Sequence, residues 1–162
     1  MQFDIIDQTN YSSVESIYQQ GMATGFATFQ DEVPSWESWD KDHLRHSRLL
    51  VKEGDQIMGW AALSPVSGRC VYGGVAEISI YIAENARGKG YGKSLLNKLI
   101  AESERNGIWT IQAEIFPENI ASIELHKKCG FRQIGFREKI GKKNGVWRDT
   151  LLMERRSKII GQ

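Results

Sequence analysis

Arg87-Gly88-Lys89-Gly90-Tyr91-Gly92 stands between two runs of opposite character. Before it, Ala76-Glu77-Ile78-Ser79-Ile80-Tyr81-Ile82 alternates and is rich in β-branched residues, the pattern of a strand. After it, Tyr91, Leu95, Leu96, Leu99 and Ile100 recur at helical spacing. Glycines at alternate positions between a strand and a helix let backbone approach a ligand without Cβ clashes. The free N–H groups of the first helical turn, with the positive end of the helix dipole behind them, then suit a phosphate or pyrophosphate. Arg87 and Lys89 add positive charge at the mouth. An anion is expected to bind here.

Three phosphate-loop patterns compete for this stretch. The dinucleotide fingerprint Gly-x-Gly-x-x-Gly, started at Gly88 and Gly90, would need its third glycine at Lys93, and fails. Gly92-Lys93-Ser94 imitates the end of a P-loop, whose first glycine would fall on Arg87. The pattern Arg/Gln-x-x-Gly-x-Gly/Ala is filled by Arg87, Gly90 and Gly92, and resembles the acyl-CoA pyrophosphate loop of the GNAT N-acetyltransferase superfamily. A plain glycine-softened turn is the alternative for so short a motif, so the rest of the chain has to decide.

Composition narrows the field. The 162 residues, 41% hydrophobic and 25% charged, suit one folded domain over 1–162. A formal net charge of +1 gives no electrostatic case for nucleic acid or an anionic membrane as partner. No apolar run approaches the ~20 residues of a membrane span, and the polar start Met1-Gln2-Phe3-Asp4 is no signal peptide, so a cytoplasmic location is expected. Cys70 and Cys129 stand far apart and read as free thiols. His43 and His46 lack a third ligand at useful spacing, so no metal is expected.

In chain order, a strand is expected over residues 2–6. A helix then opens on a capping box at Ser12-Ser13-Val14-Glu15 and stops near Gly21. Ala23 to Ser35 reads as a loop whose two phenylalanines, Phe26 and Phe29, either fold onto the core or wall a pocket. Ser35 caps a short helix carrying Trp36, Trp39 and His43. A hairpin follows over 48–52 and 56–63, then a glycine-rich loop holding Arg69, Cys70 and Tyr72. Beyond the long helix, roughly Lys89 to Asn106 and stopped by Gly107, a strand covers 110–115. Asn119 caps a helix that Gly130 stops. Strands over 131–136 and 146–153 flank an Asn144-Gly145 hairpin turn, and 154–162 reads as a trailing end. The order β-α-α-β-β-β-α-β-α-β-β predicts an α/β fold with a mixed central β-sheet and helices on both faces.

Two further features agree with the acyl-CoA pattern. Asn119 to Phe131 resembles the late GNAT motif Asn-x-x-Ala/Ser-x-x-Leu-Tyr-x-x-x-Gly-Phe, and the strand order is that of the GNAT acyl-CoA N-acyltransferase fold. Within the superfamily the chain to about Arg155 resembles the phosphinothricin N-acetyltransferase branch. The stretches that carry this are Thr28-Phe29, Ser64-Pro65 with Arg69 and Tyr72, the Ala76–Ile82 strand, and Asn144-Gly145-Val146-Trp147-Arg148-Asp149. The resemblance implies acetyl-CoA as co-substrate, held by Ile80, Tyr81, Ile82, the loop Arg87, Gly88, Lys89, Gly90, Tyr91, Gly92 and Lys93, and by Asn119 and Ser122. It implies Phe29, Arg69, Tyr72 and Glu77 at the amine substrate, with no metal, and a homodimer. Where many relatives have Tyr this chain has His126, as the branch does.

Acetyl transfer to an amine sets three tasks. The amine must lose a proton, which Glu77 is placed to take directly or through water. The oxyanion needs a donor, for which a backbone N–H at the end of the Ile80-Tyr81-Ile82 strand is the candidate. The thiolate of CoA gains from a proton donor such as His126. The plain alternatives are a solvated strand-end carboxylate for Glu77 and a helix-surface histidine for His126. Arg69 is assigned to an acidic group on a glutamate-like substrate such as phosphinothricin or methionine sulfone or sulfoximine. A protein or peptide N-acetyltransferase, or a non-catalytic acyl-CoA-binding sensor, remains the rival function.

Overall fold

Alternating apolar residues build a single sheet from strands β1 (Gln2–Ile5), β2 (Arg48–Glu53), β3 (Gln56–Pro65), β4 (Val75–Ile82), β5 (Thr110–Ile115), β6 (Arg132–Lys143) and β7 (Val146–Arg156). The computed structural model describes residues 1–162. The strand order is β1-β2-β3-β4-β5-β7-β6, and only β4 and β5 run parallel. Helices α1 (Tyr11–Ala23), α2 (Trp36–Asp42), α3 (Tyr91–Arg105) and α4 (Ile120–Lys128) complete the order expected from the sequence.

Contacts across the sheet show which helix covers which face. Tyr81 of β4 stacks on Tyr18 of α1 at 4.7 Å, and Trp60 of β3 meets Trp39 of α2 edge-on. Odd-numbered β4 residues, Glu77 and Ser79 with Tyr81, therefore face α1 and α2. Ile82 turns the other way, where a β-carbon on Gly92 of α3 would lie 3.6 Å from it and 3.2 Å from Leu125 of α4. Thus α3 and α4 share the second face. Leu95, Leu96 and Leu99 of α3 are fully buried there, as their spacing predicted.

The capping at Ser35 and Asn119 is as expected. Ser35 Oγ accepts from Ser38 N–H, and Asn119 Oδ1 from Ser122 N–H, both at 3.3 Å. Gly107 and Gly130 end their helices at positive φ. Three boundaries differ. The first helix begins at Tyr11 and runs through Gly21, which is no stop. The final strands are longer than expected, because each is paired along most of its length by the other. Residues 154–162 do not simply trail: β7 continues to Arg156, Ser157 is buried with its N–H on the Trp109 carbonyl, and Arg156 donates to the carbonyls of Ile160 and Gly161. No helix is long and apolar enough to cross a membrane.

Gly21 is a contact residue. A β-carbon there would sit 2.5 Å from Tyr81 Cδ1, closer than atoms pack. Gly21→Ala improves helix propensity, yet it must push Tyr81 off its stack. A net destabilisation of about 1–3 kcal/mol is expected, read as a lowered midpoint in urea unfolding at unchanged slope.

Candidate active site

The parallel ladder between β4 and β5 is short. Val75, Ala76 and Glu77 pair with Thr110, Ile111 and Gln112, and pairing stops there. β4 continues to Ile82 on β3, while β5 continues to Ile115 on β7. The two strands therefore part beyond Glu77 and leave a gap in the middle of the sheet. On β4 the pair Ala83–Met58 is hydrogen-bonded toward β3, so by alternation Ile78, Ile80 and Ile82 turn their N–H and C=O groups toward that gap.

At the end of β4 the chain enters the glycine loop. Gly88 and Gly90 have φ of +73° and +86°, and a β-carbon on either would meet no protein atom. Backbone conformation, not protein packing, demands glycine at both. None of the backbone N–H groups from Gly88 to Lys93 has an acceptor in the protein; the first helical bond is Ser94 N–H to the Gly90 carbonyl. Six consecutive unsatisfied donors at a helix N-terminus form a cradle for a polyanion. Arg87 Nε donates to the Ile82 carbonyl at 3.3 Å and Lys89 Nζ to the Asn85 carbonyl at 2.8 Å. Neither is paired with a carboxylate, so both charges are available to a ligand. Tyr91 contributes its N–H only: its ring is buried and its hydroxyl donates to Glu53 at 3.1 Å.

Glu77 lies at the apex of the gap, on the α1–α2 face. Gln112 Nε2 donates to its Oε1 at 3.0 Å, which fixes the carboxylate and leaves Oε2 free. His126 is 2% exposed, inside α4 on the opposite side. Its Nδ1 lies 2.7 Å from the Ser122 carbonyl, which can only accept, so Nδ1 carries the proton. Nε2 is buried without a partner, and burial lowers the imidazole's pKa from its ordinary value. The ring is thus neutral with Nε2 as a bare acceptor. It is not a helix-surface histidine, and burial makes a second proton on the ring costly. The structure does not bring Glu77 and His126 together: each has its own partners, on opposite faces of the sheet.

A six-donor cradle beside a split parallel strand pair suits a nucleotide-linked thioester. The model of the acetyltransferase (GNAT) family matches residues 12–131. The chain belongs to that family. It is an acetyl-CoA-dependent N-acetyltransferase. It is 34% identical to phosphinothricin N-acetyltransferase of Alcaligenes faecalis, over 93% of this chain and 80% of that one. It is also 34% identical to the L-methionine sulfoximine/L-methionine sulfone acetyltransferase of Pseudomonas paraeruginosa, over 86% of this chain and 84% of that one. A phosphinothricin acetyltransferase from Sinorhizobium meliloti solved with acetyl-CoA superposes with a TM-score of 0.84 at 28% identity, covering 96% of this chain and 87% of that one.

The other expected site residues of the acetyltransferase lie on separate loops and helix ends. Asn119 and Ser122 form the first turn of α4, Asn119 acting as its cap. Arg69 and Tyr72 are exposed on the short 3-10 turn Cys70–Tyr72 and its edge, with the guanidinium 5.5 Å over the tyrosine ring. Phe29 packs edge-on against Phe116 at 4.7 Å. Sequence reasoning did not single out Gln112, although it shares Glu77's face by register, nor Phe116, which only the loop fold brings to Phe29.

Because Gly90 adopts φ +86°, Gly90→Ala costs about 1–2 kcal/mol within the loop and tilts the N–H groups away from a common focus. Titration calorimetry should show acetyl-CoA binding weakened ~10-fold or more with the fold intact. Unchanged affinity would remove the loop from the binding site.

Proposed function

We propose that the protein acetylates the amine of a small, amino-acid-like molecule of the phosphinothricin and methionine sulfone or sulfoximine type, by direct transfer in a ternary complex. The observation that carries this is Glu77 at the apex of the β4–β5 gap, held through one oxygen by Gln112 and open at the other. The family relationship and the relatives' substrates support the substrate class.

Acetyl-CoA supplies an activated acyl group as a thioester. Its pyrophosphate is taken by the N–H groups of Gly88 to Lys93 with Arg87 and Lys89, and Asn119 and Ser122 border it from α4. Glu77 Oε2 takes the proton that the substrate ammonium must lose before nitrogen can attack. Charge developing on the thioester carbonyl oxygen meets a backbone N–H of β4 at Ile80 or Ile82, turned toward the gap. The nitrogen sheds a second proton as the amide forms, and that proton, carried by solvent, neutralises the thiolate. His126, neutral and accepting at Nε2, takes part as an acceptor on the α4 side rather than as an acid. Arg69, without a carboxylate partner, serves the acidic group of the substrate.

Phe29, folded down onto Phe116, narrows the amine side, which favours a small molecule over a protein tail. Release of CoA across a panel of amino acids and their phosphinic, sulfone and sulfoximine analogues tests the substrate class. A sensor would release none with any amine. With an accepted amine, Glu77→Gln keeps shape and loses basicity, so kcat should fall ~10²–10⁴-fold at neutral pH. The deficit should shrink as pH rises and free amine becomes abundant. A pH-independent loss would mean that Glu77 only shapes the site.

The same reading includes a cytoplasmic homodimer. The helix of Trp36 and Trp39 offers no surface for the interface, since Trp39 is 0% exposed and Trp36 packs on Tyr11. The β6–β7 hairpin does: Phe136, Ile140, Val146 and Trp147 are each about half exposed or more beside the free edge of β6. Sedimentation at micromolar concentration is expected to give twice 18.4 kDa, and a sole species of that single mass would refute the dimer.

A further inference from the structure

Arg148 sits on β7 where three separate segments converge. Its Nη1 donates to the Gly25 carbonyl at 3.2 Å, in the loop between α1 and α2. Its Nη2 reaches Glu118 at 3.3 Å, in the loop between β5 and α4. Its guanidinium lies 4.3 Å above the ring of Phe116, from that same loop. Phe116 in turn holds Phe29 edge-on, and Phe29 rests on Gly141, the register partner of Arg148 on β6. A β-carbon on Gly141 would lie 3.1 Å from the Phe29 ring, so the backbone there is cleared for it.

This cluster is not an outlying piece of the core. Phe116 is 4% exposed, yet it stands apart from the contiguous cluster of 30 buried residues that fills the two faces of the sheet. Its ring meets Phe29 and the Arg148 guanidinium, so it links the two loops to β7. The α1–α2 loop carries Phe29, on the amine side. The β5–α4 loop ends in the Asn119 cap and leads to Ser122, on the acetyl-CoA side. One arginine ties the two together.

We infer that Arg148 is a positioning residue that clamps the amine-side loop to the acetyl-CoA-side loop and so sets the wall of the amine site. The Glu118 arm is largely solvated, with the carboxylate side chain 59% exposed, and adds little. The Gly25 carbonyl and the Phe116 face are the arms that matter, and they require a planar cation with several donors. The inference rests on the proposed amine site for its kinetic consequence, but not for the clamp itself.

Two measurements on the intact protein separate these. In ligand-free protein, Arg148→Ala should speed amide exchange ~10-fold or more over both Gly25–Gln30 and Phe116–Asn119, while β2 and β3 keep their protection. Arg148→Lys, which keeps a donor but not the plane, should fall between. Exchange that rises in one loop alone, or in neither, overturns the clamp; if Arg148→Ala fails to fold, Arg148→Lys is judged by the same criterion. With an accepted amine, Arg148→Ala should raise KM for the amine ~10-fold and KM for acetyl-CoA less than ~3-fold. Equal rises in both overturn the assignment to the amine wall. If wild type acetylates no amine while the exchange pattern appears, the substrate class fails and the clamp stands.

Discussion

The structure depends on an interaction that stops early. β4 and β5 are hydrogen-bonded over Val75–Glu77 and Thr110–Gln112, and then each strand follows a different antiparallel neighbour. A parallel pair in mid-sheet is ordinarily paired throughout, because an unmade hydrogen bond to a buried donor costs about 1–3 kcal/mol. Here β3 holds one side of β4 to its end and β7 holds one side of β5 to its end. The sheet thereby tolerates a row of free backbone groups facing the gap, and that row is what a thioester and its amide-bearing arm can occupy.

Everything at the site is arranged about that gap. The helix that follows β4 begins with six N–H groups that nothing in the protein accepts. Its dipole places about half a positive charge at the same point. Gly92 lets the first turn of α3 approach Ile82 and Leu125, so the cradle, the end of β4 and α4 are packed as one unit. On the other face, the stack of Tyr18, Tyr81 and Trp60 with Gly21 pressed against it fixes the β4 backbone from behind. The β4 backbone beside the gap is packed on both faces.

Charge is placed with similar economy. The Glu77 carboxylate has one oxygen occupied by a neutral amide, which orients it without neutralising it. The His126 ring is tied at Nδ1 and stacked edge-on to Phe131 at 4.9 Å, and burial disfavours its charged form. An oriented carboxylate and a buried imidazole thus lie on opposite faces of one sheet.

The chain's own pattern determined a good deal. The period of two in Ala76–Ile82, the period of 3.6 from Tyr91 and the glycines between them are local signals, and local backbone preference is enough to make strand, loop and helix from them. The caps at Ser35 and Asn119, the stops at Gly107 and Gly130 and the Asn144-Gly145 turn are local in the same sense. Hence the fold, the course of the glycine loop and the family were legible. The tertiary structure decided what depends on residues far apart. It turned Gly21 from a helix stop into a contact, since only Tyr81, 60 positions on, forbids a side chain there. It put Glu77 and His126 on different faces, because strand parity and helix placement are set by separate packing events. It joined the Gly25–Phe29 loop to Phe116 and Arg148, three segments that need not be near one another until the sheet has formed. And it buried His126 and left its Nε2 without a partner, an environment that no side chain carries in its own sequence neighbourhood.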